Sequence, residues 1–265
     1  MKSKYKPVWC GLIIGSTMIV PGVSGGSMAM ILGIYDRLIS SISSFHKNVK
    51  ENLIFLIMFA ASALVGMFLC SMPIGWLLEH YNMPTLYFFI GAVLGGVPMI
   101  AKKAGVSEVS LEVVGYMLLG TICVLIISGI PTGKVSAAVQ MEAGGWIWLL
   151  FIGVISASAL VLPGISVSHF LLVIGIYDQL MEAMREVKIS YLLPLGIGLV
   201  IGIFLITRFL EYLLNRYPRE SYLIILGFIF GSVVGILPGI PVGMELIVSI
   251  LMMIIGFVAI FSLSR

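Results

Sequence analysis

Twice in this chain an apolar segment stops halfway across a membrane's thickness and then resumes. Trp9 to Val20 is apolar, Pro21-Gly22-Val23-Ser24-Gly25-Gly26-Ser27 interrupts it, and Met28 to Ile34 resumes it before Tyr35-Asp36-Arg37. The pattern returns from Phe151 to Leu162, through Pro163-Gly164-Ile165-Ser166-Val167-Ser168-His169, to Phe170–Ile176 and Tyr177-Asp178. At a constant offset of 142, Gly11, Ser16, Pro21, Gly22, Ser24, Gly33, Ile34, Tyr35, Asp36 and Leu38 all recur. Merely apolar segments would not share so many small and polar residues in register. The sequence is internally duplicated.

A helix needs about 20 apolar residues to cross a hydrocarbon core of about 30 Å. Trp9–Val20 offers about 18 Å at 1.5 Å per residue, so it reaches the middle of a bilayer before Pro21-Gly22 breaks it. Each interrupted element is therefore either a re-entrant hairpin of two half-helices or one long kinked span. Full-length spans are expected at about 53–78, 85–101 and 111–130, and again at about 191–214, 222–240 and 245–263. These repeat at an offset of 136: Gly66, Phe68, Leu69, Leu77, Leu78 and Tyr81 match Gly202, Phe204, Leu205, Leu213, Leu214 and Tyr217. Gly91 and Gly95 match Gly227 and Gly231, in small-xxx-small patterns that let helices approach closely. The change of offset falls in a polar connector, where insertions are tolerated.

Composition makes the chain an integral membrane protein: 60% of its 265 residues are hydrophobic and 10% charged, with mean hydropathy +1.16. A soluble domain averages roughly 25% charge. The Lys-rich start followed by an apolar run resembles a signal peptide, but the mid-chain copy of that run argues that it is retained. A net charge of +3 gives no reason to expect nucleic acid. Cys10, Cys70 and Cys123 stand singly and read as packing residues.

The Lys and Arg positions choose between hairpin and span. If both interrupted elements return to the side they left, 11 basic residues lie on one side (Lys2, Lys4, Lys6, Arg37, Lys47, Lys50, Lys102, Lys103, Arg216, Arg219 and Arg265). Only 3, Lys134, Arg185 and Lys188, lie on the other, and Arg208 falls inside a span. If both elements crossed, the division would be 7 to 7. The positive-inside rule favours the biased arrangement. The expected fold is an all-α polytopic membrane protein with an inverted-topology internal repeat, residues 1–142 and 143–265. Each half is one re-entrant helical hairpin (8–45 and 145–184) plus three transmembrane helices. The chain is expected in a bacterial or archaeal plasma membrane, multi-pass, with both termini cytoplasmic.

Broken helices at membrane depth must line a protein-enclosed or watery cavity, and their free N–H groups favour anions. The candidate donors are the amides of Gly25, Gly26 and Ser27, the hydroxyls of Ser24 and Ser27, and, at the second break, Ser166, Ser168 and His169. The plainer alternative is that these residues only cap and pack two tight turns. His169, whose counterpart is Ser27, could bind phosphate or carry a proton, or be a satisfied bundle histidine. Arg208, whose counterpart is Met72, could receive an anionic headgroup or snorkel to the surface. Asp36 and Asp178 read first as capping or salt-bridging groups and second as proton-coupling ones. Glu79, Glu112, Glu211 and Glu245 read as interfacial. No catalytic or metal-ligand constellation is visible, so the reading is non-enzymatic and without a cofactor.

Pro-Gly-Val-Ser-Gly-Gly-Ser with Gly-Ile-Tyr-Asp, and the second Pro-Gly-Ile-Ser with Gly-Ile-Tyr-Asp, resemble the PopT family of prokaryotic polyprenyl-phosphate translocases over essentially the whole chain. The resemblance implies a flippase returning undecaprenyl phosphate from the outer to the cytoplasmic leaflet for cell-wall synthesis. It also implies that Pro21 to Ser27 and Pro163 to His169 line the headgroup site. The residues themselves specify only a transporter-like fold with an anion site. A secondary transporter for a small soluble anion fits them too, whereas a membrane enzyme or assembly factor would need a catalytic cluster or large extramembrane surface. Membrane lipids are expected partners; proton or sodium coupling and homo-oligomers are both compatible with the sequence.

Overall fold

The computed structural model describes residues 5–20, 22–106, 108, 110–130 and 145–263. Pro21, the polar connector around Lys134, and Lys2, Lys4 and Arg265 lie outside the described residues. The chain is helical: α1 (Lys6–Thr17), α2 (Gly25–Ile31), α3 (Tyr35–Ser43), α4 (Val49–His80), α5 (Asn82–Lys103) and α6 (Leu111–Gly129) make the first half. The second half is α7 (Trp146–Val161), α8 (Val167–Ile174), α9 (Tyr177–Arg185), α10 (Ile189–Arg216), α11 (Pro218–Ile236) and α12 (Met244–Leu263). Among the described residues, six helices, α4 to α6 and α10 to α12, are long and apolar enough to cross a membrane. The protein is thus a multi-pass α-helical membrane protein.

Both breaks occur at the Pro-Gly dipeptides, and both rest on a glycine in left-handed backbone: Gly22 has φ 83° and Gly164 φ 87°. A side chain would strain that conformation, so glycine is what lets the chain leave one short helix and enter the next. The fifth span stops at Ile236 rather than near residue 240. Pro238 and Pro241 follow, and a residue without an N–H cannot continue the helical ladder.

Without a hydrophobic drive between helices in lipid, close packing of small residues holds such a bundle. Here that packing obeys the duplication residue by residue. A methyl group on Gly66 would overlap the Leu12 carbonyl, joining α4 to α1; one on Gly202 would overlap the Val154 carbonyl, joining α10 to α7. Gly91 and Gly95 of α5 lie against the Met253 and Phe257 carbonyls of α12. Their counterparts Gly227 and Gly231 of α11 lie against the Met117 carbonyl and the Thr121–Val124 turn of α6. So the second span of each half packs against the third span of the other, and the two halves are interlocked.

Candidate functional site

The two breaks meet at the centre of the molecule. A β-carbon on Gly26, in the first turn of α2, would lie 3.2 Å from the backbone of Pro163 and from the Val161 carbonyl oxygen. Around this meeting point is one cavity of about 1110 Å³. Ser24, Gly25 and Gly26 line it from the first tip, and Ser166, Ser168 and His169 from the second. The amides opening α2 and α8 have no partner within their own helices, as at any helix start. Most of the remaining wall is aliphatic, and among the described residues no Lys, Arg, Asp or Glu contributes to it.

Individual side chains divide by role. The Ser166 hydroxyl accepts from the His169 amide at 3.5 Å, so this serine caps α8 as well as facing the cavity. His169 is half-buried, and its Nε2 is buried without a hydrogen-bond partner. A buried orphan of this kind calls for a partner. Either the neutral Nε2–H tautomer or the protonated ring could donate to an anion there. Ser27, by contrast, is 1% exposed and is not part of the wall, although its Oγ is also unpaired.

Arg208 stands elsewhere. It is exposed on α10 and does not line the cavity, while the adjacent Thr207 is fully buried and does. A residue one position along a helix is turned by roughly 100°, so the two face different surroundings. Of the two readings of Arg208, headgroup contact and snorkelling, its exposure and its place off the cavity wall accord with the second. Asp36 accepts from the Tyr222 hydroxyl at 3.0 Å and pairs with Lys103 at 2.5 Å. Asp178, its counterpart, is exposed and has no ion pair among the described residues.

Among the described residues the cavity is covered at one end and has exposed wall residues at the other. At the closed end α3 packs across α10. Tyr35, 3% exposed, donates to the Val161 carbonyl at 3.0 Å, and Ser43 donates to Glu211 Oε2 at 2.6 Å. Wall residues exposed to the outside, among them Asn82, Ser168, Gly235 and Leu237, lie toward the other end, where α4 passes to α5 and α11 leads on to α12. Tyr35, Tyr222 and Glu211 were not singled out as a cluster by sequence. The repetition of Tyr35 as Tyr177 was the one available signal, since the partners of Tyr35 are more than a hundred residues away.

The description "undecaprenyl phosphate translocase-like" belongs to the family model that matches residues 14–250. A polyprenyl-phosphate transporter of Staphylococcus aureus (strain NCTC 8325 / PS 47) is 32% identical over 274 residues, covering 99% of this chain and 96% of that protein. A polyprenyl-phosphate transporter of Vibrio cholerae serotype O1 (strain ATCC 39315 / El Tor Inaba N16961) is 31% identical over 242 residues, covering 86% of this chain and 76% of that one. No solved structure matches the chain.

Proposed function

The chain belongs to the undecaprenyl phosphate translocase-like family, and on that premise we propose that it carries polyprenyl phosphate across the membrane with the phosphate held between the two tips. The observation that carries the assignment of the site is the convergence of both breaks on one cavity beside an unpartnered His169 Nε2. A phosphate monoester needs several short donors and room for close backbone approach, which glycine, serine hydroxyls and the histidine supply. The aliphatic remainder of the wall suits the first isoprene units. The rest of the tail stays in lipid.

The same reading makes each half a re-entrant hairpin plus three spans, the two halves inverted. Two features support it. The Lys6 ammonium at the start of α1 donates to the Gly33 carbonyl beyond α2 at 3.2 Å, so this chain segment comes back to its point of departure. The Lys/Arg-rich end also coincides with the closed end of the cavity, at Arg37, Lys103, Arg216 and Arg219. By the positive-inside rule that end is cytoplasmic in the plasma membrane, and the mouth faces outward. The carrier would then be collected at the outer leaflet and returned to the cytoplasmic one for envelope synthesis, with no covalent chemistry.

Binding tests the site. Undecaprenyl phosphate should raise the Tm of the purified protein, and undecaprenol, which lacks the phosphate, should not. His169→Ala should weaken the phosphate lipid about tenfold, equivalent to about 1.4 kcal/mol. Equal stabilisation by undecaprenol would remove the phosphate site. Stabilisation by inorganic phosphate alone would favour a soluble anion as cargo. Arg208→Ala, by its position, should leave transport within about twofold of wild type, as surface substitutions do; a complete loss would return Arg208 to the site.

A further inference from the structure

We propose that the sealed end seen here is one of two seals that form alternately, and that the second forms when the Tyr177 hydroxyl takes the Ile19 carbonyl. The inference rests on the transporter reading above and adds its conformational device.

It comes from where the duplication fails. Most helix contacts of one half have their counterpart in the other: α1 on α4 and α7 on α10, α5 on α12 and α11 on α6, α3 on α4 and α9 on α10. The exceptions lie together. α3 packs on α10, but α9 has no comparable packing on α4; α2 packs on α5, but α8 has none comparable on α11. The hairpin segment of the first half is docked on α5 and α10, whereas that of the second, apart from a small contact of α8 with α6, is docked on neither counterpart.

Tyr35 and Tyr177 record the same difference atom by atom. Tyr35 is buried and satisfies the carbonyl of Val161, one of the unpaired carbonyls at the end of α7. At the offset of the repeat, the matching pair is Tyr177 and the carbonyl of Ile19. Both residues line the open cavity, and among the described residues the Tyr177 hydroxyl has no hydrogen-bond partner. A donor and acceptor related by the internal repeat stand apart in one copy and joined in the other. Closing the Tyr177 pair while releasing the Tyr35 pair would turn the cavity from one end of the molecule to the other without altering the helix pairs held by the glycines.

The two seals are unequal. The first is reinforced by Tyr222 and Lys103 on Asp36 and by Ser43 and Ser44 on Glu211. At the matching positions of the other seal, Tyr222, Lys103 and Glu211 correspond to Leu86, Gly239 and Gly75. The side chains on Asp36 and Glu211 therefore act as positioning residues that hold the empty protein with the Tyr177 end open.

Two cysteine pairs read the exchange in the full-length protein in membranes, in a Cys10→Ala, Cys70→Ala, Cys123→Ala background. Ser44→Cys with Glu211→Cys spans the formed seal, and Glu186→Cys with Gly75→Cys spans the matching positions of the other. With a bismaleimide cross-linker the first pair, which removes the Glu211 contacts but keeps Tyr222 and Lys103 on Asp36, should react and the second only slowly. Adding Asp36→Asn, or Tyr222→Phe should the first variant not accumulate, should lower the first yield and raise the second, shifting their ratio about tenfold, equivalent to about 1.4 kcal/mol. A fall of the first without a rise of the second, or no change in either, would make α3 docking a static packing feature and overturn the proposal. No lipid is added, so failure of undecaprenyl phosphate as cargo would leave this readout intact and be distinguishable from it.

Discussion

Gly26→Leu is expected to abolish transport of polyprenyl phosphate while leaving the protein in the membrane. Gly26 lies in the first turn of α2 and faces the second tip, with the Pro163 backbone and the Val161 carbonyl each 3.2 Å from where a β-carbon would be. Alanine there already requires a shift of a few tenths of an ångström. Leucine adds three further carbons, which must either push the tips apart or fill the space where their donors converge. A displacement of about 1 Å at a site of this kind costs on the order of a hundredfold in rate. Gly26→Ala should therefore keep a reduced rate and Gly26→Leu almost none. Both should be extracted as folded protein, because neither touches the helix pairs that hold the bundle. Transport by a well-folded Gly26→Leu variant at the wild-type rate would mean that the tips are not where the headgroup passes.

The second large effect concerns those helix pairs. Gly91→Leu and Gly227→Leu are each expected to destabilise the fold by about 3 kcal/mol or more, the upper end for overpacked interiors. In each case the new side chain would meet a carbonyl of a neighbouring helix, at Met253 or Met117, which cannot turn aside as a flexible side chain could. Because the two positions are related by the repeat, their losses of Tm in detergent should be similar. Gly115→Leu and Gly129→Leu, which have open space around them, should change stability by no more than about 0.5 kcal/mol. A tolerated Gly91→Leu would contradict the interlocked packing of the two halves.

The span count, the breaks and the duplication could be read from the chain because each is written in local sequence: apolar length, Pro-Gly, and residues recurring in register. The expected span ends differ from the observed ones by a few residues where local chemistry was underweighted, as at Pro238 after α11. Ser24, Gly25, Gly26, Ser166, Ser168 and His169 line one cavity because half-helix starts are a local feature that the repeat doubles. Arg208 and Ser27 could not be sorted in the same way. Whether a helical residue faces a cavity, a neighbour or lipid depends on rotation about an axis, and an evenly apolar span carries no periodicity to fix that rotation. The Tyr222–Asp36–Lys103 cluster lay beyond reach for another reason. Its members come from α3, α5 and α11, and only the interlocking of the halves brings them together.

The central claim is that the two tips form a phosphate site through which a lipid carrier moves. It is tested most directly by following transbilayer movement of undecaprenyl phosphate in proteoliposomes of wild type and Gly26→Leu. The account predicts protein-dependent movement in the wild type, abolished in the variant, with Gly26→Ala between the two. Absence of movement in the wild type under imposed proton and sodium gradients, or equal movement in the wild type and Gly26→Leu, would contradict it.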